Sequence, residues 1–174
     1  MSFVVQPSLF GSVGELGVAE LGDAVERSSL SDGAWVDLRR GFVTAADELF
    51  DALASAVPWH EERTHMYDST VRVPRLLARF PQDEPLPHPV LGDARSALNA
   101  HYAEELGEPF VSAGLCLYRD GSDSVAWHGD RIARESPGDT MVAIVSLGAT
   151  RPFGLRPKSG AADCAFKSDT GTCS

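Results

Sequence analysis

His128 and Asp130 stand two apart in the run Trp127-His128-Gly129-Asp130, and this is where the sequence concentrates its chemistry. On an extended chain, side chains at such spacing leave the backbone on the same side. An imidazole nitrogen and a carboxylate oxygen placed this way suit adjacent positions on one metal ion. A second imidazole from elsewhere would complete the two-histidine, one-carboxylate set that holds non-haem Fe(II) with open coordination positions. The same two side chains could also simply hydrogen-bond one another, and His-x-Asp is short enough to arise by chance. Spacing alone leaves both readings open. Trp127 beside the pair could stack on a base or belong to the core, as could Trp59 and Tyr67. Arg72, Arg75 and Arg79, with Arg63 nearby, form a local basic ribbon. It suits phosphates flanking a flipped base, or ion pairs with acids of a neighbouring helix.

The elements that must position these groups are legible from periodicity. Apolar Ala45, Leu49, Phe50, Leu53 and Val57 recur at helical spacing behind Thr44 and Asp47, a capping-box pair, so a helix is expected over 44–57 with Pro58 ending it. Leu91, Ala94, Leu98 and Tyr102 mark a second helix over 89–106, with Pro89 in its first turn and Gly107 as its stop. From Phe110 to Tyr118 the pattern becomes that of a strand, closed by Asp120-Gly121. Further extended pieces are expected at 125–127, 141–147 and 153–156, and shorter ones at 34–38 and 71–73. Helices first and antiparallel strands later predict an α+β fold, its helices packed on one face of a sheet or barrel. Lys158 to Ser174 offer one large apolar residue, Phe166, and read as an irregular tail.

Composition bounds the rest. The 174 residues, 43% hydrophobic and 23% charged, suit one folded domain and exclude wholesale disorder. The longest apolar run, Met141 to Val145, falls far short of the roughly 20 residues of a membrane helix, so no bilayer crossing is expected. The N-terminus lacks the charge and cleavage pattern of a leader, and a cytoplasmic location is expected. Cys116, Cys164 and Cys173 have neither zinc-ligand nor disulfide-framework spacing, which fits a reducing compartment. A net charge of -10 means that a polyanion can bind only at a local patch.

Five ordered blocks carry a resemblance. Leu117-Tyr118-Arg119-Asp120-Gly121, Asp123 to Asp130, and Ile144 to Phe153 follow Val57-Pro58-Trp59 and Val73-Pro74-Arg75-Leu76-Leu77-Ala78-Arg79-Phe80 in an order that resembles the AlkB family of Fe(II)/2-oxoglutarate dioxygenases. The resemblance covers about residues 42 to 157. It implies a double-stranded β-helix (jelly-roll) with helices packed on one face. It implies oxidation of an N-alkyl group on a base of single- or double-stranded nucleic acid, in which 2-oxoglutarate becomes succinate and carbon dioxide and the alkyl group leaves as an aldehyde. His128 and Asp130 match the first two iron ligands and Tyr118 the tyrosine that hydrogen-bonds 2-oxoglutarate; Trp127 and Arg75 are candidates for substrate contact.

The departures are specific. An asparagine of the family, two residues before the tyrosine, is Cys116 here, and the position four after the first iron-ligand histidine is Ile132, so base preference does not carry over. The family's second histidine and the arginine that pairs with 2-oxoglutarate lie on later strands, and no His follows His128. His60, His65 and His88 precede the barrel in loops, and His101 falls beside the buried stripe of the second helix; none is a good replacement. The expected organisation is an N-terminal extension over 1–41, an incomplete dioxygenase domain over 42–157 lacking its last strands, and the tail over 158–174. Two other classes compete with the enzyme: a non-catalytic module on the same fold that binds nucleic acid or protein, and a metal-free interaction domain.

Overall fold

The computed structural model describes residues 14–66, 69–129, 141–157 and 164–167. Helix α1, Ala46–Ala56, begins where Ala45 takes a left-handed turn at φ 47°, and Asp47 and Glu48 in its first turn face the positive end of its dipole. No side chain caps it. Thr44, expected as the cap, belongs instead to strand β4 (Val43–Thr44), and its hydroxyl donates to the Glu15 carbonyl at 2.6 Å. Val57 is extended, as a residue preceding proline must be, so the helix ends one residue before it. Leu49 and Leu53 on the inner face of α1 pack with Val43, Val57, Ala78 and Val90 to make the main core, and Leu49 is completely buried.

Helix α2, Pro89–His101, is shorter than the sequence suggested. Its start is set by Pro89 and by His88, whose ring Nδ1 accepts the Val90 N–H at 3.3 Å. It buries Val90 and Ala94, and the chain beyond Tyr102 turns rather than continuing helical to Gly107. The Asn99 carboxamide then accepts from the Phe110 N–H at 2.7 Å and donates to its carbonyl at 3.1 Å, while Arg95 reaches the Val111 carbonyl at 2.9 Å. Helix α2 thus aims the chain into the strand that follows.

That strand, β7 (Ala113–Leu117), completes an antiparallel sheet with β5 (His60–Met66) and β6 (Ser69–Phe80) in the order β5-β6-β7. The β5–β6 register breaks between Glu61 and Arg63, where residues 73–75 of β6 oppose Glu62 alone. Pro74, which has no N–H to give a ladder, sits in that irregularity. Strands β1 (Gly17–Val18) and β4 pair, and β2 (Glu26–Ser29) and β3 (Trp35–Leu38) form a hairpin. The hairpin's bidentate Arg27–Asp37 pair also joins α2's end: Arg27 reaches Glu105 at 2.7 Å, and the Tyr102 hydroxyl donates to Asp37 at 2.9 Å. The hairpin is therefore bonded to the chain at the end of α2.

The later strands depart further from expectation. Residues 125–127 and 141–147 form no ladder among the described residues. Val145 and Leu147 nevertheless pack on the core while Val142 and Ile144 face solvent, so the apolar run has the shape of a strand without a described neighbour to bond it. Strand β8 (Pro152–Leu155) pairs with β9 (Cys164–Lys167), which lies within the stretch read as an irregular tail. Helices and antiparallel sheets together make the fold α+β. Among the described residues no helix is long and apolar enough to cross a membrane.

Candidate active site around Tyr118 and His128

Tyr118 leaves the end of β7 half-buried, with the Arg151 guanidinium over its ring at 4.5 Å. Burial raises the phenol above its ordinary range, while the cations of Arg75 and Arg151 oppose that shift. Arg75 comes from the irregular part of β6. One terminal nitrogen points at the Ser124 carbonyl at 3.5 Å, and its Nε is buried without a hydrogen-bond partner among the described residues. A buried, unsatisfied guanidinium N–H is expensive unless an acceptor is supplied.

Between Tyr118 and Trp127 the chain is tied down by a compact polar knot. The Asp123 carboxylate, only 4% exposed, accepts the Arg119 Nε and Nη2 N–H groups at 2.8 Å each and the Arg119 backbone N–H at 2.9 Å. These bonds hold Asp123 well below the usual carboxylate range, at about 2. The Asp120 carboxylate accepts from the Ser122 N–H and hydroxyl and is lowered as a result. Arg151 donates to the backbone carbonyls of Asp123, at 2.9 Å, and Asp120. The Ser124 N–H reaches the Pro74 carbonyl at 2.9 Å, so the turn is joined to β6 as well.

Beyond the knot, Trp127 is half exposed. Its indole lies against Gly154 of β8, with the Arg156 guanidinium 4.2 Å from the ring centre. His128 is exposed and its Nδ1–H donates to the Ala126 carbonyl at 2.8 Å. In the neutral ring this places the lone pair on Nε2, the tautomer in which a hydrogen-bonded histidine ligates a metal. Asp130 lies outside the described residues. No group of three or more His, Cys, Asp and Glu side chains stands together as a metal site among the described residues.

The structure thus turns Arg75 toward the Ser124 carbonyl and puts Trp127 on β8. His88 caps α2 and His101 lies edge-on to Tyr102, so both have structural contacts. Trp59 donates to the Ala54 carbonyl at 3.2 Å and packs on the core. Arg79 pairs with Glu62 of β5 at 3.3 Å, not with acids of α1. Tyr67 lies outside the described residues. Sequence reading missed Arg119, Asp123 and Arg151. The i, i+4 spacing of Arg119 and Asp123 around Asp120-Gly121 was a usable signal; nothing local marked Arg151 as their partner.

Comparison with known proteins agrees with the resemblance. The chain is 35% identical over 146 residues to alpha-ketoglutarate-dependent dioxygenase alkB homolog 3 of Rattus norvegicus, covering 77% of this chain and 45% of that protein. Against the Bos taurus protein of the same name the identity is 35% over 146 residues, covering 77% and 47%. Against that of Homo sapiens it is 35% over 137 residues, covering 71% and 46%. The chain therefore spans just under half the length of these relatives. No family model and no solved structure matches it. Sequence similarity over about three quarters of its length places the chain in the AlkB-like family of 2-oxoglutarate-dependent dioxygenases.

Proposed function

We propose that this domain carries out Fe(II)- and 2-oxoglutarate-dependent oxidative dealkylation of N-alkylated bases in single- or double-stranded nucleic acid, on a double-stranded β-helix. The observation that carries the reading is the similarity to the curated dioxygenases, joined by a half-buried phenol at Tyr118 under the Arg151 guanidinium and by His128, whose Nδ1 lies 2.8 Å from the Ala126 carbonyl.

The residues present fit the co-substrate. A dicarboxylate needs cationic and phenolic donors, and Arg75 Nε is a buried donor lacking an acceptor. For the metal, His128 fits through Nε2, and Asp130 two residues on is the carboxylate its spacing supplies. Iron and 2-oxoglutarate supply the oxidation: one atom of O2 enters succinate as carbon dioxide is lost, the other enters the alkyl C–H bond, and the hydroxylated group leaves as an aldehyde.

The chain's own residues bind and orient. Ala126 fixes the His128 tautomer through its carbonyl. Burial raises the Tyr118 phenol against the opposing cations of Arg75 and Arg151, so it stays protonated near neutral pH and can donate to a carboxylate. Trp127, half exposed beside His128, offers a face on which an unstacked base can lie, and Arg156 behind it adds positive charge for the backbone. The test is to incubate the protein with an oligonucleotide bearing one N-methylated base, Fe(II), 2-oxoglutarate and O2. Loss of 14 mass units (about one CH2) from the base with equimolar succinate and aldehyde is expected. Salt-sensitive binding without any iron-dependent product would support the non-catalytic module instead.

A further inference from the structure

We propose that Asp123 is a positioning residue. Through Arg119 and Arg151 it sets the placement of Tyr118 relative to the segment that ends in His128, and so couples the co-substrate contact to the metal-bearing residue. The proposal rests on the dioxygenase reading for its functional consequence, but its structural content stands apart from it.

Asp123, 4% exposed, is the only polar or charged residue that is buried as a whole among the described residues. Burying a carboxylate is costly, and closing an Asp-Gly turn does not require it, because such turns close with exposed side chains. Here the cost is offset by three charge-assisted bonds from Arg119, the residue directly after Tyr118. The fork of Arg119 spans both carboxylate oxygens, which fixes orientation as well as distance. Arg151 then locks the backbone on the other side of the same turn, and its guanidinium plane covers the Tyr118 ring. A third tie, from the Ser124 N–H to the Pro74 carbonyl, anchors the exit of the turn to β6 beside Arg75. Three different segments, β6, the β7 exit and the residue just before β8, therefore meet at the turn from Asp120 to Ser124. From this anchored point only Ser124 to Trp127 intervene before His128. Without the knot, 118–128 would be a loop held by Trp127 at one end.

The variant to make is Asp123→Asn, which keeps size and one acceptor but turns an N–H toward Arg119. Two measurements decide. In the protein without added metal, amide hydrogen exchange within 118–128 should rise by about tenfold or more while exchange in α1 and α2 changes little. A uniform rise across α1, α2 and the turn, or no change at 118–128, would overturn the proposal, because Asp123 would then be only a contributor to global stability or to nothing. In the iron-loaded protein, a double-mutant cycle of Asp123→Asn with Tyr118→Phe on 2-oxoglutarate affinity should be non-additive, the Asp123 change costing about tenfold alone and at most about twofold once the phenol is gone. Additive losses would overturn it. A wild-type protein that binds no 2-oxoglutarate sinks the dioxygenase reading and leaves the exchange measurement to decide the positioning role.

Discussion

Gly154→Ala tests whether β8 seats the residue next to His128. A Cβ at 154 would fall 2.8 Å from Trp127 Cη2, with Cζ3 at 3.5 Å and Cζ2 at 3.6 Å. Carbon atoms rest at about 3.5–4.0 Å, so the far edge of the indole must retreat by roughly 1 Å. Gly154 has no positive φ and pairs with Ala165 inside β8–β9, so alanine brings no backbone strain and the effect is confined to the ring. The indole is 52% exposed and has solvent to move into, which puts the overpacking cost near the low end, about 1 kcal/mol. Its retreat also disturbs the Arg156 contact at 4.2 Å, worth about 0.5–1 kcal/mol. The expected loss is about 1–2 kcal/mol in urea unfolding, with a red shift in Trp127 emission identified by comparison with Trp127→Phe. Gly114→Ala is the control, since a Cβ there meets nothing within 4 Å, and it should cost no stability. If Gly154→Ala unfolds with the wild type and leaves the emission unchanged, the indole is not seated on β8 and the placement of His128 from that side is wrong.

Other outcomes follow from the core and the ionised groups. Leu49→Ala removes a completely buried side chain from the centre of the core and should cost about 3 kcal/mol in denaturant unfolding. Burial and then the hydrogen bond to Asp37 push Tyr102 up to about 12, above its value of about 10 in the unfolded chain. That stabilisation is complete below pH 10 and lost as pH rises through 12, so alkaline melts should steepen in this window and Tyr102→Phe should flatten them. Asp123 has the opposite sign. Lowered from an ordinary 3.8 to about 2, chiefly by the Arg119 hydrogen bonds, it stabilises the fold above about pH 4 and ceases to as pH falls through 2. Acid unfolding of Asp123→Asn should lack that limb.

Much of the scaffold was legible because it is local. The 3.6-residue apolar period at Leu49, Leu53 and Val57 is sufficient to give α1, and Pro89 is sufficient to start α2. Their ends were not legible: Thr44 was taken by a strand pairing with β1, and the Asn99–Phe110 bonds pull the chain out of helix before Gly107. The run 141–147 shows the limit of periodicity, since alternation directs Val145 and Leu147 inward but cannot supply a neighbour. In the candidate site, His128 was marked by its spacing from Asp130, and Tyr118 by a resemblance spread over several blocks. Arg151 could not be found, because its partners are backbone carbonyls 28 and 31 residues away, and a carbonyl leaves no trace in side-chain type.

The central claim is that the Tyr118–His128 run forms the cofactor end of a dioxygenase site, and its most direct test is anaerobic titration with Fe(II) followed by 2-oxoglutarate. A charge-transfer absorption is expected on adding the keto acid, lost in His128→Ala and in Asp130→Ala and requiring more 2-oxoglutarate in Tyr118→Phe. His128 is exposed, so its replacement should leave the fold intact and the loss can be read as loss of a ligand. A wild-type protein that melts cooperatively yet gives no band at saturating iron and 2-oxoglutarate would contradict the claim.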